Sequence, residues 1–341
     1  MTTPAARGFR MPGEWVPHTR CWMAWPCRPE TWPEGRFDAA TQAYAEVARA
    51  IAEFEPVTMV CDPADVAEAS LACGAGGSGI QILPVPLSDS WIRDTGPSFV
   101  TDGRGALAGV HWGFNAWGGN YAECGKDREV GRLVLEHLGL ERFRAPLVME
   151  GGSFHVDGEG TLITTEQCLL NPNRNPHLSR DEIEQHLKDH LGVNTVIWLG
   201  EGYQDDETDG HIDEIACFAR PGVVLALTTD DPADPNFKIF HDNLDRLSRA
   251  RDAHGRALEV VTLPQPARRD ENGMRLTLSY TNLYIANGGV VAPSFEDPHD
   301  DEAFRILRKV FADREVIQVP ALDIVRGGGG IHCITQQQPA P

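Results

Sequence analysis

The chain of 341 residues is 41% hydrophobic and 8% aromatic, which is enough apolar sequence to bury one large core or two smaller ones. It carries 30 Lys and Arg residues against 50 Asp and Glu residues, a formal net charge of −20 at pH 7. This charge argues against nucleic acid and against an anionic membrane surface as partners. It suits a small cationic ligand better, although solubility alone accounts for such acidity equally well.

The eight cysteines are scattered along the chain and include no C-x-x-C pair. We therefore expect reduced thiols in a cytoplasmic protein. The N-terminal sequence lacks the apolar core of a signal peptide, and the chain contains no 18-residue apolar run. The sequence thus predicts neither export nor a membrane-spanning segment.

Six segments repeat apolar residues every three or four positions, which is the spacing of an amphipathic helix. Their approximate bounds are 38–54, 65–73, 126–138, 179–191, 236–250 and 299–312. Short apolar strands follow five of them, namely IQILPV, APLVM, NTVIWLG, LEVVTLP and REVIQVP. Turn residues also predict hairpins around Asp157-Gly158 and Asn287-Gly288. The pattern indicates a recurring unit of strand, strand, helix and strand.

This unit recurs five times, about every 53 to 63 residues, without any repeat of residue identity. If the units are arranged radially, the segment after each strand lies near one common axis. Asp94, Glu150, His211 and Cys333 occupy these segments, and the fourth unit offers only Asn282 and tyrosines.

The chain shows no flexible linker and no abrupt change of composition between its ends. We therefore expect a single domain over residues 10–336. A disordered N-terminus over 1–9 and a frayed C-terminus over 337–341 complete the predicted organisation.

The segment VRGGGGIHCITQQ places four glycines before Cys333, so backbone can approach a ligand closely beside the thiol. A lone cysteine is nevertheless more often a small buried hydrophobe. Adjacent His332 is a poor base for this thiol, because neighbouring side chains in a strand point to opposite faces. We expect His332 to be a packed histidine.

The segment DETDGHIDE offers His211 as a better partner for the thiol. If the segment is extended, Asp209, His211 and Asp213 lie on one face. A solvated strand edge gives the same pattern, and so does a pair of metal ligands. A metal site ranks well below because no further His or Cys motif completes a ligand set.

Two other segments place carboxylates beside turn residues. In LSDSWIRDTGP, Trp91 and Asp94 combine an aromatic ring with a carboxylate, which suits a cation pocket but equally suits a turn whose Asp caps backbone amides. In MEGGSFHV, Glu150 ends an apolar strand and requires a positive partner or a donor. With Asp213, Glu207 and a thiol, this much negative charge favours a planar guanidinium as ligand.

At these residues the sequence closely resembles the agmatine deiminase family of guanidino-group-modifying enzymes, which is related to bacterial peptidylarginine deiminases. The resemblance extends over nearly the whole chain. Its motifs are MPGEWVPHTRCWMAWP, DSWIRDTGP, GFNAWGG, EGGSFHVDGEGTLITTEQCLLNPNRNP, DETDGHIDE, YTNLYIANGGVVAP and GGGGIHCITQQQP. It implies an α/β fold, a five-bladed propeller of ββαβ modules with pseudo-fivefold symmetry.

The resemblance also implies roles for individual residues. Cys333 looks like the nucleophile and His211 like the general acid/base, with Glu150 supporting His211. Asp94 and Asp213 would hold the guanidinium nitrogens.

At the far, aminobutyl end of the substrate, the resemblance implies contacts with Trp91 and Glu207. Gly330 departs from the family pattern, which often has Asn beside the nucleophile. The implied reaction converts agmatine to N-carbamoylputrescine and ammonia and needs no metal or cofactor.

Several alternatives stay open at this point. An arginine or peptidylarginine deiminase is one, and a polyamine-binding protein without catalysis is another. Arg93 would be needed near a substrate carboxylate, but as a neighbour of Asp94 in an extended segment it is expected to point away. The sequence leaves the oligomeric state open, including a homo-oligomer.

Overall fold

A computed structural model describes residues 2–271 and 273–341. Within them the strands are β1 His18–Ala24, β2 Val57–Cys61, β3 Ile80–Pro84, β4 Ser98–Thr101, β5 Leu107–Gly113, β6 Glu141–Val148, β7 Phe154–Val156, β8 Thr161–Thr165, β9 Thr195–Leu199, β10 Ala216–Arg220, β11 Val223–Thr228, β12 Glu259–Pro264, β13 Asp270–Glu271, β14 Met274–Arg275, β15 Tyr284–Ala286, β16 Gly289–Ser294, β17 Glu315–Pro320 and β18 Thr335–Pro339.

Helices alternate with these strands. They are α1 Phe37–Ala52, α2 Val66–Cys73, α3 Ile92–Thr95, α4 Ala116–Gly119, α5 Asp127–Leu138, α6 Glu166–Leu169, α7 Arg180–Leu191, α8 Asn236–Arg249, α9 Asp300–Val310 and α10 Leu322–Val325. Four 3₁₀ turns cover Ala5–Arg7, Pro29–Thr31, Gly151–Ser153 and Ile212–Glu214. The six longest helices match the six predicted segments to within about two residues, which is the usual uncertainty at helix ends.

Five small sheets share one plan, and a two-stranded hairpin of β13 and β14 is added to them. In four sheets an antiparallel pair is followed by a parallel third strand, as in β4-β5-β6, β7-β8-β9, β10-β11-β12 and β15-β16-β17. A longer helix precedes the parallel strand, because a parallel connection needs a crossover. The predicted recurring unit and both predicted hairpins are confirmed.

The fifth sheet joins the two ends of the chain in the order β18-β1-β2-β3. β18 pairs antiparallel with β1, and Trp22 in β1 donates a hydrogen bond of 3.0 Å from Nε1 to Oε1 of Gln338 in β18. The last strand of the chain therefore completes the sheet that the first strand begins.

Three residues of the C-terminal segment that was predicted to be frayed belong to a strand instead. Gln337, Gln338 and Pro339 lie in β18 and are buried, because β1 supplies the hydrogen bonds that an isolated end would lack. Near the N-terminus, Phe9 is buried and its ring lies 5.8 Å from that of Phe143. Met1 lies outside the described residues.

Helix α7 shows how local sequence fixes an element. The Ser179 hydroxyl accepts from the Glu182 amide, and the Glu182 carboxylate accepts from the Ser179 amide, so the two residues form a capping box. Ile183, Leu187 and Leu191 form its buried face. Among the described residues, no helix has the length and apolar character needed to cross a membrane.

Candidate active site

The candidate site lies where five equivalent connections meet. Each connection follows the last parallel strand of one sheet and precedes the first strand of the next sheet. Asp94 follows β3, Glu150 follows β6, His211 follows β9, Asn282 precedes β15 and Cys333 follows β17. Because each connection leaves a parallel edge strand, the five side chains converge although up to 239 positions separate them in sequence (333 − 94 = 239).

Cys333 lies in the turn immediately before β18 and is buried. Its Sγ lies 3.6 Å from Oδ2 of Asp213 and 3.5 Å from Oε1 of Glu214, and it accepts from Nδ2 of Asn282 at 3.2 Å. Burial and the carboxylates of Asp213, Glu214 and Asp94 raise the pKa of the Cys333 thiol well above its ordinary value. The isolated site therefore holds a thiol, and thiolate formation needs a positive charge nearby.

The glycines before Cys333 permit close packing around the thiol. A Cβ on Gly329 would lie 2.7 Å from the Trp91 ring and 3.1 Å from the Cys333 Sγ, so this position tolerates only glycine without a shift of its neighbours. A Cβ on Gly328 would lie 3.2 Å from Oε2 of Glu207. The glycine segment thus connects the Cys333 thiol with the predicted residues Trp91 and Glu207.

Trp91 and Glu207 occupy different environments. Trp91 is buried, and its ring stacks on that of Trp32 with a centroid distance of 6.2 Å and an interplanar angle of 20°. Glu207 is exposed, and its backbone carbonyl accepts from Nδ2 of Asn120 at 2.8 Å. The Trp91 ring therefore lies next to the thiol, and the Glu207 carboxylate lies at the solvent-exposed rim of the site.

His211 is buried between two carboxylates. Its Nδ1 lies 3.9 Å from Oδ2 of Asp94, and its Nε2 lies 3.6 Å from Oε2 of Glu150. Burial lowers the pKa of His211, but Asp94, Cys168 and Glu150 outweigh this effect and raise the pKa well above its ordinary value. The acidic groups around His211 therefore favour its protonated form.

Asp94 lies in α3 and receives two fixed donors. Trp117 Nε1 donates to Oδ2 at 2.8 Å, and the backbone amide of Gly152 donates to Oδ1 at 2.8 Å. Burial raises the pKa of Asp94 to about 6, with His211 opposing the increase and Asp213 adding to it. The two donors fix the orientation of the carboxylate, since they arrive from different segments.

Glu150 is paired with Arg174, which the sequence analysis did not single out. Arg174 Nε donates to Oε1 of Glu150 at 2.7 Å, and Arg174 Nη1 reaches Oδ2 of Asp209 at 2.9 Å. Burial alone would raise the pKa of Glu150, but Arg174 and His211 lower it below its ordinary value. Glu150 therefore remains ionised. Arg174 neutralises part of the negative charge that the sequence analysis assigned to a cationic ligand.

Asp213 belongs to a buried chain of ionisable groups. Its Oδ2 lies 2.8 Å from Nδ1 of His332, whose Nε2 lies 3.0 Å from Oε1 of Glu14, and Arg93 donates to Glu14 at 3.2 Å. Burial and Arg93 lower the pKa of His332, but Glu14 and Asp213 prevail and raise it above its ordinary value. His332 was expected to be a packed histidine, but it is a charged group that pairs with both Asp213 and Glu14. Its imidazole ring stacks on that of His155 at 4.9 Å.

The prediction of one extended face carrying Asp209, His211 and Asp213 was wrong. Asp209 adopts a positive φ of 65° in a turn, and Ile212–Glu214 forms a 3₁₀ turn. His211 and Asp213 still meet, since a Cβ on Gly152 would lie 2.7 Å from Nδ1 of the former and 2.8 Å from Oδ2 of the latter. Asp209 instead holds Arg174.

The orientations of Arg93 and His332 were predicted from an extended backbone, and the backbone is not extended at either residue. Arg93 lies in a helical turn, not in an extended segment, and its guanidinium nevertheless points away toward Glu14. His332 and Cys333 lie in a turn, so their side chains do not point to opposite faces. Both reach the same Asp213 oxygen.

Several buried polar atoms of the site have no hydrogen-bond partner within the described part of the chain. They are both ring nitrogens of His211, Oδ1 of Asp213, Oε2 of Glu150 and Oε2 of Glu214. Leaving such atoms unpaired costs about 1–3 kcal/mol each. A guanidinium has five N–H donors and a positive charge, so it suits Oδ1 of Asp213 beside the thiol.

Within residues 2–271 and 273–341, three buried groups of residues have donor atoms close enough to hold a metal ion. They are Glu14 with His155 and His332, Glu150 with Cys168 and His211, and Asp213 with Glu214 and Cys333. Arg93 and Arg174 already pair with the glutamates of the first two groups and would repel a cation there. The third group is the immediate environment of the thiol, where a guanidinium would compete with a metal ion.

The fold and the site define a mixed α/β protein in which a buried cysteine faces a histidine and several carboxylates. Over residues 10–339 the chain matches the family model of the Porphyromonas-type peptidyl-arginine deiminases, and it belongs to this family.

Agmatine deiminases are among its relatives. Those of Pseudomonas aeruginosa and Ectopseudomonas mendocina are 50% and 48% identical, each over 100% of this chain and 98% of the relative. The solved agmatine deiminase of Enterococcus faecalis is 38% identical with a TM-score of 0.96, covering 100% of this chain and 98% of its own.

Proposed function

We propose that this protein hydrolyses agmatine to N-carbamoylputrescine and ammonia through a covalent amidino-cysteine on Cys333. The observation that carries this proposal is the buried thiol of Cys333 within 3.6 Å of Asp213, in a cluster that also contains Asp94 and His211. Full-length similarity to agmatine deiminases at about 50% identity supports the same reaction.

Substrate binding activates the nucleophile. The guanidinium lies between Asp94 and Asp213, whose unpartnered Oδ1 accepts one N–H. Its positive charge next to the sulfur offsets the carboxylates that raise the Cys333 pKa. The thiol then releases its proton to solvent, and the thiolate is the attacking form.

The first half of the reaction forms the covalent intermediate. The thiolate adds to the guanidinium carbon, which gives a neutral tetrahedral adduct. His211, which is protonated because its pKa is raised, donates its proton to one terminal nitrogen. The carbon–nitrogen bond breaks, ammonia leaves, and a cationic amidino-cysteine remains.

The second half releases the product. Neutral His211 takes a proton from water, and the hydroxide adds to the amidino carbon. The new hydroxyl gives its proton to sulfur as the carbon–sulfur bond breaks, which yields N-carbamoylputrescine and the free thiol. Glu150 stabilises the His211 cation that is regenerated, since its Oε2 lies 3.6 Å from Nε2.

The far end of the substrate accounts for the choice of agmatine. A free arginine brings an α-carboxylate that needs a cationic partner, but Arg93 is committed to Glu14 and Arg174 to Glu150 and Asp209. Glu207 at the rim instead suits an ammonium group, with Trp91 alongside the aliphatic chain. We expect kcat/KM for agmatine to exceed that for free arginine by at least about 100-fold, the cost of a poorly paired charge. Equal values for both substrates would contradict this assignment.

We also propose a single catalytic domain over at least residues 10–336, in which the five sheets are arranged radially as a five-bladed α/β propeller. Two observations support this arrangement. The site residues come from equivalent connections, and first strands of neighbouring sheets contact each other, β18 with β4 and β7 with β10.

Ammonia release from agmatine tests the function directly. Wild-type protein should release ammonia and form N-carbamoylputrescine, and the Cys333→Ala variant should be at least about 10⁴-fold slower because the nucleophile is removed. The matched control is Cys217→Ala, which removes a buried thiol from β10. This control should retain activity, and failure of the wild type to release ammonia would overturn the proposal.

A further inference from the structure

Asn282 lies against the nucleophilic sulfur, on the connection from the fourth sheet unit. Its Nδ2 donates to Sγ of Cys333 at 3.2 Å and to Oε1 of Glu214 at 2.9 Å. Asn282 and Glu214 are 1% and 2% exposed. The pair therefore forms one wall of the thiol environment.

The orientation of the Asn282 amide is determined by a third partner. The backbone N–H of His332 donates to Oδ1 of Asn282 at 2.7 Å. Because a backbone N–H can only donate, the atom facing it must be the amide oxygen. The NH₂ group therefore faces Cys333 and Glu214, which each take one of its two hydrogens.

The cationic His332 shares an Asp213 oxygen with the thiol, but four acidic groups disfavour a negative charge on the sulfur, so a hydrogen-bond donor to it matters. These groups are Asp213 and Glu214 from the 3₁₀ turn Ile212–Glu214, Asp94 from α3 and Tyr44 from α1. An N–H donor is worth more to a thiolate than to a thiol, since hydrogen bonds to charged acceptors are stronger. Among the described residues, the Asn282 amide is the side-chain donor to the Cys333 sulfur, and a backbone hydrogen bond from Gly330 also lowers the pKa of the thiol.

Glu214 completes the arrangement as an acceptor. Its Oε1 accepts from Asn282, and its Oε2 makes no hydrogen bond to the residues in the structure. Burial, with Asp213 and Asp206, raises the pKa of Glu214 well above its ordinary value. The ionised form of Glu214 raises the pKa of Cys333, and the rise in the pKa of Glu214 itself favours the neutral form, in which Oε1 still accepts from Asn282 and no negative charge lies beside the thiolate.

We propose that Asn282 is a catalytic residue that stabilises the Cys333 thiolate, and that Glu214 is the positioning residue that holds the Asn282 amide in place. The catalytic part of this inference rests on the proposed function. The effect of Asn282 on the thiol pKa does not rest on the proposed function, because the hydrogen bond to the sulfur is present in the protein without substrate.

The test measures the pH dependence of Cys333 alkylation by iodoacetamide without substrate. Mass spectrometry of the Cys333 peptide separates this reaction from alkylation of the half-exposed Cys27. Asn282→Ala should move the midpoint upward by about one pH unit or more, because a hydrogen bond to a charged group is lost. It should also lower kcat for ammonia release about 10- to 100-fold and change KM less than about three-fold.

The Glu214 variants distinguish positioning from bulk structure. Glu214→Gln keeps a neutral acceptor of the same shape, so its alkylation midpoint and kcat should stay close to wild type. Glu214→Ala removes the acceptor and should produce part of the Asn282→Ala effect. A Glu214→Gln variant as impaired as Asn282→Ala would overturn the role given to Glu214.

Circular dichroism and urea denaturation establish which variants fold. If Asn282→Ala does not fold, Asn282→Asp keeps the size of the side chain, removes the donor and should also raise the midpoint. A folded Asn282 variant that alkylates with the wild-type midpoint would overturn the inference. Absence of ammonia release by the wild type would instead contradict the proposed function, and the alkylation comparison would still decide the role of Asn282.

Discussion

Asp94 shows how one buried carboxylate couples binding to pH. Its pKa of about 6 reflects burial first, with His211 and Trp117 opposing the effect of burial. Below that pKa the group is protonated, and a protonated carboxyl cannot offer a charge to a guanidinium. At the residue scale, we therefore expect the acidity of Asp94 to set the lower limit of the pH range of the proposed reaction.

The pH dependence of kcat/KM for agmatine tests this interpretation. Because kcat/KM reports groups of the free enzyme, the raised pKa of the Cys333 thiol already lowers kcat/KM as the pH decreases. Protonation of Asp94 should steepen this decline by a further factor of about ten per pH unit below about pH 6. Activity is lost on the acidic side because Asp94 must be ionised to pair with the guanidinium. Its pKa lies above the ordinary value, so this loss begins near pH 6. A profile that stays flat between pH 5 and pH 7 would contradict the assignment.

Trp117→Phe provides a matched variant for the same experiment. The substitution removes the 2.8 Å donor to Oδ2 of Asp94 but keeps an aromatic ring. Since that donor stabilises the ionised form, the acidic limb should move to higher pH and kcat/KM at pH 6 should fall about three-fold or more. At pH 8 the difference from wild type should be smaller.

Short connections hold the site together at the scale of elements. The 3₁₀ turn Gly151–Ser153 passes between segments that carry side chains with proposed catalytic roles. A Cβ on Gly152 would lie 2.7 Å from the His211 ring, 2.8 Å from the Asp213 carboxylate and 3.0 Å from that of Asp94. The absence of a side chain at this position therefore permits three groups to converge.

Gly152→Ala should lower kcat/KM at least about 100-fold, because displacements of about 1 Å in a reacting group cost that much. The free energy of unfolding should fall by only about 1–3 kcal/mol, the usual cost of overpacking. Steady-state ammonia release and urea denaturation measure the two effects. Gly125→Ala is the control, because its Cβ would meet nothing within 4 Å. It should keep activity within about two-fold.

Strand β18 links stability and catalysis at the scale of the whole molecule. It is buried, pairs with β1 and begins two residues after Cys333. The strand that closes the first sheet therefore also fixes one end of the turn that presents the thiol.

Deletion of residues 335–341 should lower the free energy of unfolding by several kcal/mol and abolish ammonia release, since β1 loses its antiparallel partner. Deletion of 340–341 is the control. Ala340 and Pro341 are exposed, and only one backbone hydrogen bond, from Ala340 to Pro17, is lost. This shorter deletion should change stability by less than about 1 kcal/mol. Equal stability of both truncated proteins in urea would contradict the role given to β18.

The sequence by itself determined the local structure and part of the site. Helix periodicity, the capping box and hairpin turns depend on residues a few positions apart, and the predicted helices and hairpins are confirmed. Similarity of motifs indicated Cys333, His211, Asp94, Asp213 and Glu150, and the structure brings these residues together, while their catalytic roles stay predictions.

Only the tertiary structure showed how the buried charges are balanced. Arg174 meets Glu150 across 24 positions, Asn282 meets Cys333 across 51, and His332 meets Glu14 across 318. Such pairs leave no periodic signal, because each side chain is ordinary in its own segment. Which of them meet depends on where the five sheets place their connecting loops, and that is a property of the folded chain.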